Sequence, residues 1–159
     1  VAASNLDYKL QAKQIAKDTY VFEGANDDFS RANGCNIINT GFIVTSDGVV
    51  VINTGVSKLY GEQQRQAIAK VTNKKIKLVL NLNLHPDYFL GNQAYADVPI
   101  AALSASIQGM KEEGASYTDN LYRICGDWMS ATESKPGAVG QPTGAPCARP
   151  DWSCRPWPV

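Results

Sequence analysis

A single α/β domain arranged as a layered sandwich is the fold class that this sequence predicts, on three observations. Hydrophobic residues fill 44% of 159 positions, enough for one sizeable core. Short β-rich runs open the chain, and a stretch of helical spacing then separates them from a further apolar run. Two more helical stretches follow, which gives the order β-β-β-α-β-loop-β and then helices.

Each element has its own local reason. "DTYVFEG" (18–24) alternates and is rich in β-formers, "CNIINTGFIVT" (35–45) is a longer apolar run, and "GVVVIN" (48–53) reads as a buried strand. Ser46-Asp47-Gly48 between the last two suits a tight antiparallel hairpin, because Gly accepts positive φ and Asp bonds the local backbone. From Ser57 the spacing turns helical: Tyr60, Gln64, Ala67, Ile68 and Val71 share a face, Ser57 can cap the start, and Asn73 fits a stop. Ile76 to Asn81 returns to strand, and "VPIAALS" (98–104) is another short one. Ser104 to Glu113 and Tyr117 to Glu133 read as two helices, the second carrying Leu121, Ile124, Cys125 and Trp128 along one face.

Composition narrows the partners. Fifteen Lys and Arg balance fifteen Asp and Glu, so no long-range attraction draws the chain to nucleic acid or to an anionic membrane. No stretch approaches the roughly 20 apolar residues that span a bilayer, and no signal peptide stands at the front. The chain opens on Val1, as a processed mature form or a fragment would. Four scattered cysteines make neither a disulfide scaffold nor a CxxC zinc site, and leave the redox compartment open. Cys35, at the head of an apolar strand, reads as a small buried hydrophobe.

Residues 134–159 differ in kind from 1–133. They hold six of the eight prolines and two of the three tryptophans, with no Ile, Leu or Phe. A segment without aliphatic bulk has little to bury against its ordering entropy, so it reads as an irregular, Pro/Gly-rich tail. Its abrupt composition also suits a truncated or frame-shifted product.

The one histidine, His85, lies in "NLNLHPDYFLGN" (81–92), directly after the strand that ends at Asn81. Donors two residues apart at a strand end turn to one side, so positions 83, 85 and 87 can converge on one pocket. The plain alternative gives His85 a backbone bond in a loop and makes Asp87 the cap of the segment after it. Asn53 braces the turn at Thr54-Gly55 through its short side chain. "ANDDFSRANG" (25–34) is either a loop facing a ligand or a solvated turn.

That arrangement resembles the metal loop of the metallo-β-lactamase superfamily, His-x-His-x-Asp-His at a strand end, here in the register Asn83, His85, Asp87, Tyr88. Asn53-Thr54-Gly55 after "VVVI" likewise resembles the superfamily's Asp-Thr-Gly turn after a buried strand. The stretch from Leu6 to about Glu133, with "FEGANDDFSRANGCNIINTGFIVT", "YADVPIAAL" and "DNLYRICGDWM", is similar to the exported quinoprotein relay system zinc metallohydrolases. The resemblance implies an αββα sandwich of which this chain holds the first half, since superfamily members continue into a second sheet that brings further His and Asp ligands.

For function it implies zinc-dependent hydrolysis of an ester, thioester or lactam in the periplasm or outside the cell. His85 would bind metal or orient water, Asp87 would bind metal and take part in the chemistry, Asn83 would occupy the first ligand position, and Asn53 and Tyr88 would support the loop from behind. One group of metallo-β-lactamases carries the same Asn-x-His-x-Asp and works with a single zinc. Yet an amide and a protonated phenol are poor zinc donors, so a weak or partial zinc site is expected, with a small-molecule substrate. Two alternatives stand beside hydrolysis: an inactive binding module, or a truncated product whose exposed face a second copy of the chain would cover.

Overall fold

A computed structural model of the chain describes residues 5–132 and the strand Trp152–Arg155. Four strands open it: β1 (Lys13–Ala16), β2 (Thr19–Phe22), β3 (Thr40–Val44) and β4 (Val49–Ile52), each antiparallel to the next. Helix α1 (Lys58–Val71) crosses to β5 (Ile76–Asn81), which lies parallel to β4. A short helix α2 (Pro86–Phe89) and a 3-10 helix (Leu90–Tyr95) lead to β6 (Ile100–Leu103), parallel to β5. Helix α3 (Ser104–Cys125) and a 3-10 turn (Gly126–Met129) follow, and β7 (Trp152–Arg155) pairs antiparallel with β6. Among the described residues the sheet is mixed and seven-stranded, with its strands in chain order.

Strand alternation decides where the core sits. Phe42, Val51, Val79 and Ile100 fall on one face of the sheet and are 0% exposed, with Ala67 and Ile68 of α1 in the same cluster. Truncating a ring such as Phe42 to alanine there costs about 3–5 kcal/mol. Gln64 of α1, also 0% exposed, satisfies its amide within this layer. It donates to Thr40 Oγ1 and to the Asn53 carbonyl, and accepts from the Tyr95 hydroxyl. A polar group so placed is held at low cost because all its bonds are made. A second cluster joins Phe89, Leu90, Ala102, Ile107, Met110, Leu121 and Met129, and seats α3 beside α2.

α1 and β5 form as the spacing predicts: Ser57 caps α1 by accepting from the Tyr60 N–H, and the cap at the other end is Thr72, one residue before Asn73. Five local expectations need correction. The strand expected from Cys35 begins only at Thr40, because Cys35 sits at φ 60 in a turn where its N–H bonds Ser30 O and Asn33 Oδ1. The edge strand β1, whose residues are all exposed, carries no buried alternation for the sequence to display. The two helices expected beyond Ser104 are one, since a helical interior tolerates Gly114 at about 1 kcal/mol and tertiary packing overrides that cost.

Asp87 does not cap the segment after it: α2 starts at Pro86 with His85 at the cap position and Asp87 within the first turn. Finally, the tail expected to be irregular contains a paired strand, β7, where backbone bonds to β6 replace the missing aliphatic burial. The rest of 134–159 lies outside the described residues. Among the described residues, no helix is long and apolar enough to cross a membrane.

Candidate functional site

The loop after β5 is built against the turn after β4. Asn53 stands at φ 58, a left-handed conformation that Asn adopts more readily than most residues, and its Oδ1 accepts from the Leu82 N–H at 3.0 Å. The Thr54 N–H donates to Tyr88 O, and the Gly91 N–H to Gly55 O. Buried side chains close the base of the loop. Asn81 and Asn92 exchange amide bonds of 3.0 and 2.6 Å, and the Thr54 hydroxyl donates to Asn92 Oδ1 at 2.7 Å. Gly91 is required by contact: a Cβ there would lie 1.9 Å from Thr54 O. The two asparagines that bracket "NLNLHPDYFLGN" therefore bond to each other and fix the loop between them.

His85 precedes Pro86 in extended backbone, as the proline ring requires, and Pro86 takes the first helical position of α2, where its missing N–H costs nothing. The Tyr88 N–H donates to His85 O, which fixes the tyrosine on the first turn. His85 is exposed, Asp87 is 6% exposed, and the His85 and Tyr88 rings lie 6.1 Å apart at 44°. Burial raises the Asp87 pKa; a bond from its own backbone N–H and the nearby His85 both act against that rise.

His85, Asp87 and Tyr88 line one cleft of about 580 Å³. Its other walls are Phe29, Ile37 and Ile38 from the loop before β3, and Tyr117, Asn120 and Leu121 from α3. Asn83 is not among the residues lining it, and its Oδ1 accepts from the His85 N–H at 2.9 Å. A second cleft, of about 530 Å³, shares Ile37, Ile38 and Tyr88 with the first and is lined also by Glu23, Asn26 and Asn39.

The wall bearing Phe29 is tied down at three points. A disulfide joins Cys35 to Cys125 of α3, with Cα atoms 6.1 Å apart. The Trp128 indole N–H donates to Arg31 O, and the Tyr8 hydroxyl to Gly34 O. Burial pushes that phenol up to about 12, against a smaller opposing effect of its bond with the Ser57 hydroxyl. Sequence reasoning offered 25–34, which contains Phe29, as a loop facing a ligand or a solvated turn, and missed the α3 wall and the disulfide that joins the two. Leu121 shows in the sequence only as part of an apolar helical face, and four cysteines allow three pairings.

The donor set does not fit a zinc site. A catalytic zinc takes three protein ligands and leaves one position open. Among the described residues no group of three His, Cys, Asp or Glu side chains could hold a metal ion. His85 and Asp87 are two donors, the Asn83 oxygen accepts a backbone N–H, and the disulfide removes Cys35 and Cys125 as thiolates.

No family model matches the sequence, and no curated protein does. Solved structures do match. A metallo-β-lactamase from Hirschia baltica aligns with a TM-score of 0.57 at 17% identity, covering 66% of this chain and 48% of that one. The fold is that of the metallo-β-lactamases. A metallo-β-lactamase from Erythrobacter litoralis, solved with beta mercaptoethanol in its active site, gives 0.55 at 19% identity over 67% of this chain and 46% of that one. FIM-1 from Pseudomonas aeruginosa, in its mono-zinc form, gives 0.56 at 13% identity over 66% and 46%. The chain thus spans about half the length of the metallo-β-lactamases it matches.

Proposed function

We propose that the protein is a hydrolase-like module of metallo-β-lactamase fold whose strand-end cleft takes a small ester, thioester or lactam, with His85 and Asp87 as its working groups. The observation that carries this reading is that the exposed imidazole and the buried carboxyl, set on one loop by the Asn53 and Asn92 braces, open into one cleft large enough for a small ligand. A neutral imidazole offers one acceptor nitrogen, so His85 can hold a water against a bound carbonyl. Asp87, on the same turn, supplies negative charge beside that imidazole when ionised and a hydrogen-bond donor when protonated.

With two donors in place of three, this chain alone binds zinc weakly and turns over little. The test is calorimetric titration of the metal-free protein with zinc, together with assays on ester, thioester and lactam substrates with and without the metal. Weak binding and slight turnover, both reduced further in His85→Ala, support the reading. Submicromolar binding of one zinc per chain, lost in His85→Ala and accompanied by zinc-dependent turnover, would instead establish a complete metallohydrolase. A binding role without turnover is the second reading, favoured by the bond that commits Asn83 to the backbone. Export to the periplasm belongs to the first reading, because a disulfide such as Cys35–Cys125 persists in an oxidising compartment.

A further inference from the structure

We infer that the cleft selects neutral esters with an apolar arm of aromatic-ring size over ligands that carry a carboxylate. This rests on the hydrolase-like reading and adds a substrate class to it. Phe29, Ile37 and Leu121 present apolar surface from two sides, and Asp87 contributes a carboxyl. Among the described residues lining the cleft there is no Lys or Arg. A carboxylate entering it would give up hydration without a cation to replace it, and would stand near a second carboxyl.

The rim does not reverse this sign. Glu113 bonds the Tyr117 hydroxyl, while the Arg123 guanidinium donates to Asn120 Oδ1 at 2.6 Å. These opposite charges are exposed and screened by solvent. A neutral ester meets neither penalty, and its carbonyl can lie beside His85 while the arm fills the apolar walls.

The same asymmetry favours product release. In hydrolysis the acyl carbon gains a bond to the water oxygen and loses its bond to the alcohol oxygen. One water proton goes to the departing alkoxide and the other to solvent, so the acyl fragment leaves as a carboxylate. The site that accepts the ester rejects that anion.

Methyl phenylacetate and phenylacetate share the aromatic arm and differ by the charge and one ester methyl, whose burial accounts for only about four-fold in affinity. Binding of each to the metal-free full chain at neutral pH is read by NMR titration, and turnover of the ester is followed separately. The ester is expected to bind at least about ten-fold more tightly. Asn120→Lys, on an exposed helical position at the cleft, is expected to raise phenylacetate affinity by about three-fold or more and so to narrow the ester's preference. Circular dichroism and melting confirm that the variant is folded, and Tyr117→Lys replaces it should it melt early.

Equal or reversed preference in the parent, failure of both probes to bind, or unchanged phenylacetate affinity in a folded lysine variant would overturn the inference. Preference for the ester without turnover refutes hydrolysis and leaves the charge selectivity standing. Turnover without the preference does the opposite.

Discussion

Asn92 carries more of the loop than any residue that faces solvent. It is 0% exposed, and its amide is the common partner of Asn81 and of the Thr54 hydroxyl. Asn92→Ala leaves those two buried polar groups without it, and chemical denaturation is expected to show a loss of about 1–3 kcal/mol. A variant as stable as the parent would mean that water takes over these bonds. Asp87 makes a pH-dependent contribution of known sign. Its folded pKa is raised, first by desolvation, so the folded chain binds the proton more tightly than the unfolded chain does. Ionisation therefore lowers stability as pH rises through the carboxylate range, and the loss disappears as pH falls toward about 4. Asp87→Asn should melt above the parent at pH 7, with the gap closing in acid. Thermal melts across that range decide it, and a parent more stable at pH 7 would reveal a partner holding the carboxylate. Asn53 was legible as a brace, because its short side chain bonds backbone amides. That its partner would be the Leu82 N–H, 29 residues on, was not, since local spacing carries no distance.

At the scale of elements, the cleft depends on how α3 is joined to the loop before β3. The Cys35–Cys125 disulfide spans a sequence separation of 90, and both cysteines are 0% exposed. A closure of that length restricts the unfolded chain strongly, and removing such a bond from a small domain costs about 2–5 kcal/mol. Cys35→Ala/Cys125→Ala is expected to lose stability in that range by urea denaturation and to bind methyl phenylacetate more weakly than the parent, because Phe29 and Leu121 are then less firmly opposed. Binding equal to the parent at a temperature where the variant is folded would show that Trp128 and Tyr8 suffice to hold the wall. α1 and β5 were readable because each shows a full period of burial. β1 was not, since all of its residues are exposed, and the unity of α3 was hidden by a glycine that packing overrides.

For the whole molecule, the sheet face away from Phe42 and Val51 bears on association. Register places Ile43, Val50 and Leu78 in one row, and Val21, Gly41, Ile52 and Leu80 in the next. Ile43 is 38% exposed, and Val50, Ile52, Leu78 and Leu80 are only half-buried. An apolar face of this kind favours association, so concentration-dependent pairing of two copies is expected in sedimentation velocity. A single species of monomer mass over the accessible concentration range would rule it out. Equal numbers of acidic and basic residues give such pairing no large net repulsion to overcome.

By itself the sequence determined the α/β class, the β4-α1-β5 crossover and the strand-end place of His85 and Asp87, because these depend on local periodicity, caps and turn chemistry that a short window contains. It also limited the metal chemistry, since one histidine cannot supply a ligand set. Tertiary structure alone decided that Asn81 and Asn92 close the loop, that Asn83 turns to the backbone, that Cys35 meets Cys125, and that α3 supplies the second wall of the cleft. Each of these joins groups whose approach is set by how sheet and helices pack. That packing is the sum of many weak contacts between distant residues, and it leaves no mark in the local order of the chain.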